Sequence, residues 1–207
     1  MRLLGVDTGF KYTGLAIVEW NGARARLVGG TTINTEPTAK KRRMLVVDDH
    51  LRRIREILHG VDNACSPCMP SLVSMEAFSP ARNAGSACRQ AFGYASVVAV
   101  AEHHALPIVQ FTPQEIHKRL GVPKPPPLPR KAPHHATKAE KLEAERARSA
   151  ASKDNKRRVW ITAARLCPGP WDTLSEHEAD AACAALAALF PVPIDLVRMA
   201  MGALKED

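Results

Sequence analysis

Short apolar segments alternate with turn residues over the first third of the chain. Segments at about 2–7, 13–19 and 25–32 are rich in Leu, Ile and Val, which predicts three consecutive β-strands. The pair Asn21-Gly22 separates the second segment from the third, and such a pair favours a tight hairpin. We therefore expect the chain to open with three strands, of which at least two are antiparallel.

The spacing of apolar residues then changes to that of a helix. Leu45, Leu51, Ile54 and Leu58 predict a helix over about 38–59, and Gly60 is expected to end it. Strand and helix alternate after that point. The expected elements are a strand over 72–76, a helix rich in small residues over about 84–104, a strand over 107–111 and a short helix from Pro113 to Leu120.

Residues 121–137 interrupt this pattern with a run of prolines, which lack the backbone donor that helices and central strands need. We expect an exposed, extended segment, followed over 138–151 by a charged helix that is either solvated or formed on a partner. Helices over about 153–166 and 175–190 and an amphipathic tail over 193–204 complete the chain. The order predicts an α/β fold with a mixed sheet, as one domain over 1–207 with a Pro-rich, basic insertion at 121–151.

Composition restricts the class of protein. A chain of 207 residues with 45% hydrophobic content suits one globular domain, and no apolar run is long enough to span a bilayer. Strand residues begin directly at the N-terminus, so we expect no signal peptide and a cytoplasmic location. The five cysteines suggest no disulfide framework, and Cys65 and Cys68 are expected to be free thiols in a loop.

The positive charge is concentrated in one part of the chain. The net charge is +8, and residues 118–158 hold 13 Lys or Arg against four Asp or Glu. One interpretation is a solvated, charged linker. A specific basic arm that binds a polyanion, with nucleic acid as the favoured partner, is the other.

Three acidic residues stand at comparable places in the predicted elements. Asp7 ends the first strand, Glu76 ends the fourth and Asp180 begins the helix over 175–190. A carboxylate within an apolar run is costly unless it has a partner, and a metal ion is the natural one. His177 shares a helix face with Asp180, although Glu176 is a rival for that position. Such a set suits Mg²⁺, with Mn²⁺ as a substitute, and two ions could assist a phosphodiester displacement.

Several short motifs resemble, in order and spacing, the RuvC family of Holliday junction resolvases within the RNase H-like superfamily. Each motif is weak alone, but together they extend over most of the chain. They are Gly5-Val6-Asp7-Thr8-Gly9, Thr13-Gly14-Leu15-Ala16, Met75-Glu76-Ala77-Phe78, Ala81-Arg82-Asn83-Ala84-Gly85-Ser86-Ala87, Thr112-Pro113, Ala151-Ser152-Lys153-Asp154 and His177-Glu178-Ala179-Asp180-Ala181.

The resemblance implies a mixed five-stranded sheet flanked by helices, and a Mg²⁺-dependent homodimer that nicks two strands of a four-way DNA junction symmetrically. Asp7, Glu76, His177 and Asp180 fall on the family's catalytic, metal-binding positions, and Lys153 falls on a lysine near the scissile phosphate. The residues expected to contact DNA are Phe78, Arg82, Asn83, Arg130, Lys131, Lys153, Lys156 and Arg157. Whether a helicase cooperates with the protein is left open.

Two departures from the family pattern leave other functions open. Ser79 stands where the family has an aromatic residue, with Phe78 one position earlier, and about thirty extra residues follow the Thr112-Pro113 helix. A nuclease with broader specificity for branched DNA is therefore one alternative. Another is an ATPase domain of the actin or sugar-kinase type, which also opens with a strand, an Asp-x-Gly motif and a hairpin. A non-catalytic DNA-binding relative is a third.

Overall fold

The structure is a computed structural model of the chain, and it describes residues 1–38, 45–79, 83–124, 126–131, 133 and 135–190. Five strands form one sheet: β1 (Arg2–Asp7), β2 (Tyr12–Trp20), β3 (Ala25–Asn34), β4 (Leu72–Glu76) and β5 (Ile108–Phe111). The helices are α1 (Val46–Cys68), α2 (Ala84–His103), α3 (Pro113–Arg119), α4 (Lys138–Leu166) and α5 (Glu176–Leu189), with a short 3₁₀ turn at Trp171–Thr173.

The sheet is mixed, as predicted. Its order is β3-β2-β1-β4-β5, with β1, β2 and β3 antiparallel and β4 and β5 parallel to β1. In the central pair Val6 lies opposite Met75, so the next residues, Asp7 and Glu76, end neighbouring parallel strands at the same edge of the sheet. The topology alone therefore brings two of the predicted acids together.

Both faces of the sheet are covered. Helices α1 and α2 pack on one face over a core that includes Leu4, Val6 and Met75. On the other face α5 is central, and α3 and α4 pack around it over a core that includes Leu3, Leu27 and Phe111. None of the described helices is both long and apolar enough to cross a membrane.

Helix α5 lies directly on the central strands because the residues in contact are small. A Cβ atom added at Gly5 would lie 1.9 Å from the carbonyl oxygen of Ala181, and one at Gly14 would lie 2.2 Å from that of His177. Seven consecutive residues from Ala181 to Ala187 are buried. This close packing fixes the start of α5 above the end of β1.

The predicted end of the first helix is wrong. Helix α1 continues through Gly60 to Cys68, and Gly60 serves close packing instead, because an added Cβ there would lie 2.5 Å from Cδ1 of Ile33. The thiols of Cys65 and Cys68 consequently lie in the last turn of a helix rather than in a loop. Of the predicted helix, 39–44 lies outside the described residues.

The two helices expected over 138–151 and 153–166 are one continuous helix, α4. Thr137 caps its start in a reciprocal capping box with Glu140. The described residues of 121–137 form neither helix nor strand and are mostly exposed, as predicted. Arg148 on α4 donates a hydrogen bond to the carbonyl oxygen of Pro129, so the Pro-rich segment runs back along the helix. The tail predicted over 193–204 lies outside the described residues.

Candidate active site

The three predicted acids and His177 line one cavity of about 530 Å³ at the edge of the sheet where β1 and β4 end. Asp7 and Glu76 come from these strands, and His177 and Asp180 come from the first turns of α5. Ser175 caps that helix by accepting a hydrogen bond from the backbone N–H of Glu178. Helices α3 and α4 close the sides of the cavity with Pro113, Ile116, His117, Ser152, Asn155, Lys156 and Val159.

His177 is held towards Asp7 from two directions. Its Nδ1 lies 2.7 Å from Oδ2 of Asp7, within hydrogen-bonding distance. Its ring stacks on Tyr12, with 5.2 Å between the ring centroids and 23° between the planes. Glu176, the rival candidate, points instead to Lys156, with which it forms an ion pair. The geometry thus favours His177 over Glu176 as the companion of the three acids.

Asp180 is engaged by two residues of α4. The indole Nε1 of Trp160 donates to Oδ1 of Asp180 at 2.9 Å, and Nζ of Lys156 lies 3.0 Å from Oδ2. The Lys156 ammonium also binds Glu176, so it bridges two carboxylates of α5. Both carboxylate oxygens of Asp180 therefore have partners in this conformation.

The cavity carries excess negative charge. Burial raises the pKa of Asp7, the hydrogen bond from His177 partly opposes that rise, and the charge of Asp180 adds to it. The pKa of Glu76 is raised by burial first, and then by the charges of Asp7 and Asp180. Carboxylates that repel one another in a half-buried pocket are stabilised by a bound cation.

The donor set fits a hard divalent cation. Carboxylate oxygens with one imidazole are ligands that suit Mg²⁺ and Mn²⁺. Within the described part of the chain, however, no three such groups are gathered around one point. Asp7 is turned to His177, and Asp180 is turned to Lys156 and Trp160. Only one carboxylate oxygen of Asp7 is engaged by a described residue, whereas a cation that binds Asp180 would have to replace one of its two partners.

The residues expected to contact DNA are spread over three places. Lys153, Lys156 and Arg157 lie on α4, where Lys153 and Arg157 are exposed and only Lys156 lines the cavity. Phe78 is 40% exposed beyond the end of β4 and packs against Tyr94. Arg130 and Lys131 line a second groove between the Pro-rich segment and α4.

Asn83 has a structural task in addition to any contact with DNA. Its side-chain oxygen accepts from the backbone N–H of Ser86 at 2.7 Å and caps α2. Arg82 lies outside the described residues.

Several residues of the site did not stand out in the sequence. Tyr12 and Trp160 hold His177 and Asp180. Asn155 also lines the cavity, and its Oδ1 is buried with no hydrogen-bond partner among the described residues. Thr32 on β3 binds both Ser175 and Glu178 and so ties the start of α5 to the sheet. The helical spacing of Lys156, Trp160 and Ala163 on α4 is the signal that could have identified the inner face of that helix.

The sheet order and the position of the acids place the chain in the class of RNase H-like folds, as predicted. A family model described as "Crossover junction endodeoxyribonuclease RuvC" matches residues 3–122, more than half of the chain. The chain therefore belongs to the RuvC family. The matched residues include Asp7 and Glu76 but end before α4 and α5.

Individual relatives agree with this assignment. The RuvC protein of Methylococcus capsulatus is 31% identical over 121 residues, covering 58% of this chain and 66% of the relative. That of Oleidesulfovibrio alaskensis is 35% identical over 122 residues, with the same shares. The chain thus spans slightly less than two thirds of the length of the curated relatives it matches. A solved structure of Thermus thermophilus RuvC in complex with a Holliday junction substrate superposes with a TM-score of 0.66 at 19% identity, over 92% of this chain and 94% of that one.

Proposed function

We propose that this protein is a Mg²⁺-dependent endodeoxyribonuclease that acts in the cytoplasm on four-way DNA junctions and resolves them by paired, symmetric nicks. The observation that carries the proposal is the convergence of Asp7, Glu76, His177 and Asp180 in one cavity of a RuvC-family fold. Raised pKa values of Asp7 and Glu76 support it, because they mark carboxylates that lack a sufficient counter-charge.

Each residue has a role that follows from its position. Asp7, Glu76 and Asp180 would hold the cation, and His177 is oriented for the same task by Asp7 and the ring of Tyr12. A bound Mg²⁺, or a pair of ions, would lower the pKa of water and stabilise the charge on the phosphate oxygens. Lys153 is exposed on α4 and is suited to hold the phosphate of the strand to be cut.

The basic residues of α4 and of the insertion support a path for DNA past the cavity. Arg157 is exposed on the same helix as Lys153, and Arg130 and Lys131 lie beside the N-terminal half of that helix. Phe78 stands exposed beyond Glu76, where it could stack on a base at the junction. Contacts with phosphates position the DNA, whereas the stacking aromatic would recognise unpaired or distorted bases.

The test is cleavage of a synthetic four-way junction, with a linear duplex of the same sequence as the control. We expect Mg²⁺-dependent nicks at symmetric positions on two opposite strands, mapped by labelling each strand in turn. The linear duplex should remain intact under the same conditions. Absence of cleavage with Mg²⁺ or Mn²⁺, or equal cleavage of both substrates, would contradict the proposal.

A broader specificity for branched DNA is the second candidate, and it is favoured by Ser79 and by the extra basic residues of 121–151. A three-way junction and a flap substrate in the same assay distinguish the two. Cleavage of all branched substrates at similar rates would favour the broader nuclease. An ATPase of the actin or sugar-kinase type is disfavoured by the family match, and release of phosphate from ATP would be its signature.

We also propose a homodimer, because two coordinated nicks require two sites in a fixed relation. Gly93 and Ser96 of α2 are buried within the protein, whereas Cys88, Ala95 and Ala99 form an exposed stripe of small residues on the outer face of that helix. Ala95→Glu should convert a dimer to monomers in sedimentation, while Ala150→Glu on exposed α4 should not. A wild-type protein that sediments as a monomer while it resolves junctions would refute the dimer.

A further inference from the structure

The Lys156 ammonium lies where a cation bound by Asp180 would have to compete with it. Nζ of Lys156 contacts Oδ2 of Asp180 at 3.0 Å and also binds Glu176, and Oδ1 of Asp180 accepts from the indole of Trp160. Lys156 is the only lysine or arginine that lines the cavity within the described ranges. A cation that binds Oδ2 of Asp180 would therefore have to replace the ammonium of Lys156.

The charge of Lys156 also reaches the other acids of the cavity. It opposes the rise in the pKa of both Asp7 and Glu76, which burial and mutual repulsion otherwise cause. Lys153, one turn earlier on the same helix, is exposed, and within the described part of the chain no hydrogen bond or ion pair joins it to Asp7, Glu76 or Asp180. Two lysines of the same helix thus differ in their relation to the site.

We propose that Lys156 is an internal counter-ion that occupies the acid cluster until a divalent cation displaces it. The inference rests on the proposed function, because it takes Asp180 as a metal ligand. On displacement the ammonium turns to the mouth of the cavity, and its side chain, 44% exposed, already reaches solvent there. A DNA phosphate at the mouth is the anion that receives it.

This arrangement links the binding of metal to the binding of DNA. Without DNA, metal binding must break the ion pairs of Lys156 with Asp180 and Glu176, which weakens the affinity for metal. With DNA bound, the displaced ammonium gains a phosphate, so the affinity for metal rises. By thermodynamic reciprocity, metal should raise the affinity for DNA by the same factor.

The first test is isothermal titration of Mn²⁺ into DNA-free protein. Lys156→Met keeps most of the side-chain stem and removes the charge, and it should bind Mn²⁺ about three- to fivefold more tightly than the wild type, the upper part of the range for a partly exposed ion pair. The matched control is Lys153→Met, which removes the same charge one turn away and should change the affinity less than about twofold. Addition of a nuclease-resistant junction should tighten Mn²⁺ binding in the wild type and less so in Lys156→Met.

The second test needs no variant. Lysine acylation followed by mass spectrometry reports how accessible each ammonium is in the wild-type protein. Mg²⁺ should increase the labelling of Lys156 and leave that of Lys153 unchanged. Unchanged or decreased labelling of Lys156 would overturn the inference, even if the Lys156→Met variant failed to fold.

The outcomes separate this inference from the proposed function. If Asp7→Asn leaves wild-type Mn²⁺ binding intact, the metal does not bind at this cavity and the proposed function fails with the inference. If Asp7→Asn removes binding while Lys156→Met binds no more tightly than Lys153→Met, the metal site stands and only the role of Lys156 is refuted.

Discussion

Helices α4 and α5 both line the candidate active site, yet they are built in opposite ways. Helix α5 has 14 residues, is rich in alanine and is buried over Ala181–Ala187 against the central strands. Helix α4 has 29 residues, is mostly polar and exposed, and of its residues only Val159 and Ala163 are buried. Asp180 and His177 stand on the buried helix, next to Asp7 and Glu76 at the ends of the strands, whereas Lys153, Lys156 and Arg157 stand on the exposed one.

The difference indicates how the site divides its tasks. Residues that are to hold a cation, as we propose for this site, need fixed positions, and close contact of α5 with Gly5 and Gly14 provides that rigidity. Residues that contact the phosphates of DNA need long, exposed side chains rather than fixed positions. An exposed helix such as α4 presents its side chains in this way. The rigid half of the site is therefore α5 with the ends of β1 and β4 beneath it, and the exposed half is α4 with the basic insertion at 121–151. If the tasks are divided in this way, each half can be changed without loss of the other's function.

The largest effect is expected from the rigid half. Asp7→Asn or Glu76→Gln should lower the single-turnover rate of junction cleavage by about a thousandfold, because the ligands that hold the cation are lost. Junction binding in gel-shift assays should be unchanged or tighter, since each change removes a charge that repels phosphates. A variant that cuts within about tenfold of the wild type would remove that residue from the set of ligands.

The next effect is on stability. Gly5→Ala should destabilise the fold by about 3 kcal/mol or more, because the new Cβ would meet the backbone of Ala181, which cannot move aside. Gly29→Ala is the matched control in the same sheet, as nothing lies within 4 Å of its added Cβ, and it should change stability by less than about 1 kcal/mol. Urea unfolding measures both. If both variants lost the same free energy of unfolding, α5 would not be rigidly packed on β1.

The exposed half should bind DNA without supporting the fold. Removal of residues 124–148, with Pro123 joined to Ser149, leaves a serine, a favoured N-cap residue, at the start of the shortened α4. The melting temperature should fall by only a few degrees, corresponding to about 1 kcal/mol. Junction binding should weaken, and its dependence on salt should flatten by about 0.9 in the log–log slope for each lost phosphate contact.

A double variant, Arg130→Ala with Lys131→Ala in the intact chain, separates charge from length in that experiment. The double variant should reproduce part of the decrease in the salt dependence of junction binding. Unfolding on deletion would instead mark residues 124–148 as a packed element of the fold.

The smallest effect concerns pH. The pKa values of Asp7 and Glu76 are raised in the folded protein, so stability falls as pH rises from the ordinary carboxyl value of about 4 through the raised values. In the absence of metal, Glu76→Gln should therefore be more stable than the wild type at neutral pH, by about 1 kcal/mol, and equal to it near pH 4. Denaturant unfolding with chelator at several pH values measures this difference, and a variant that is less stable at neutral pH would contradict the origin of the shift.

Much of the fold was predictable because its signals are local. Apolar segments separated by turn residues, with the Asn21-Gly22 pair, predicted the three opening strands, and the later alternation of helix and strand predicted the mixed sheet. The ends of the helices were harder to predict from the sequence. Gly60 resembles a helix stop in the sequence, but it lies within α1. A glycine is needed there because the side chain of Ile33 packs where a Cβ would stand. The continuity of α4 from Lys138 to Leu166 was also missed, since residues 138–151 have almost no apolar face to predict their course.

By itself the sequence determined the fold class, the identity of the acids and the concentration of positive charge in 118–158, because each depends on residue type and spacing. Tertiary structure alone decided which residues meet at the site. Asp7 and His177 are 170 positions apart, and their contact exists because α5 lies on β1 through Gly5 and on β2 through Gly14. Likewise, only the packing of α4 beside α5 singles out Lys156 from Lys153. One turn of a helix separates them in sequence, but only Lys156 is turned inward to Asp180.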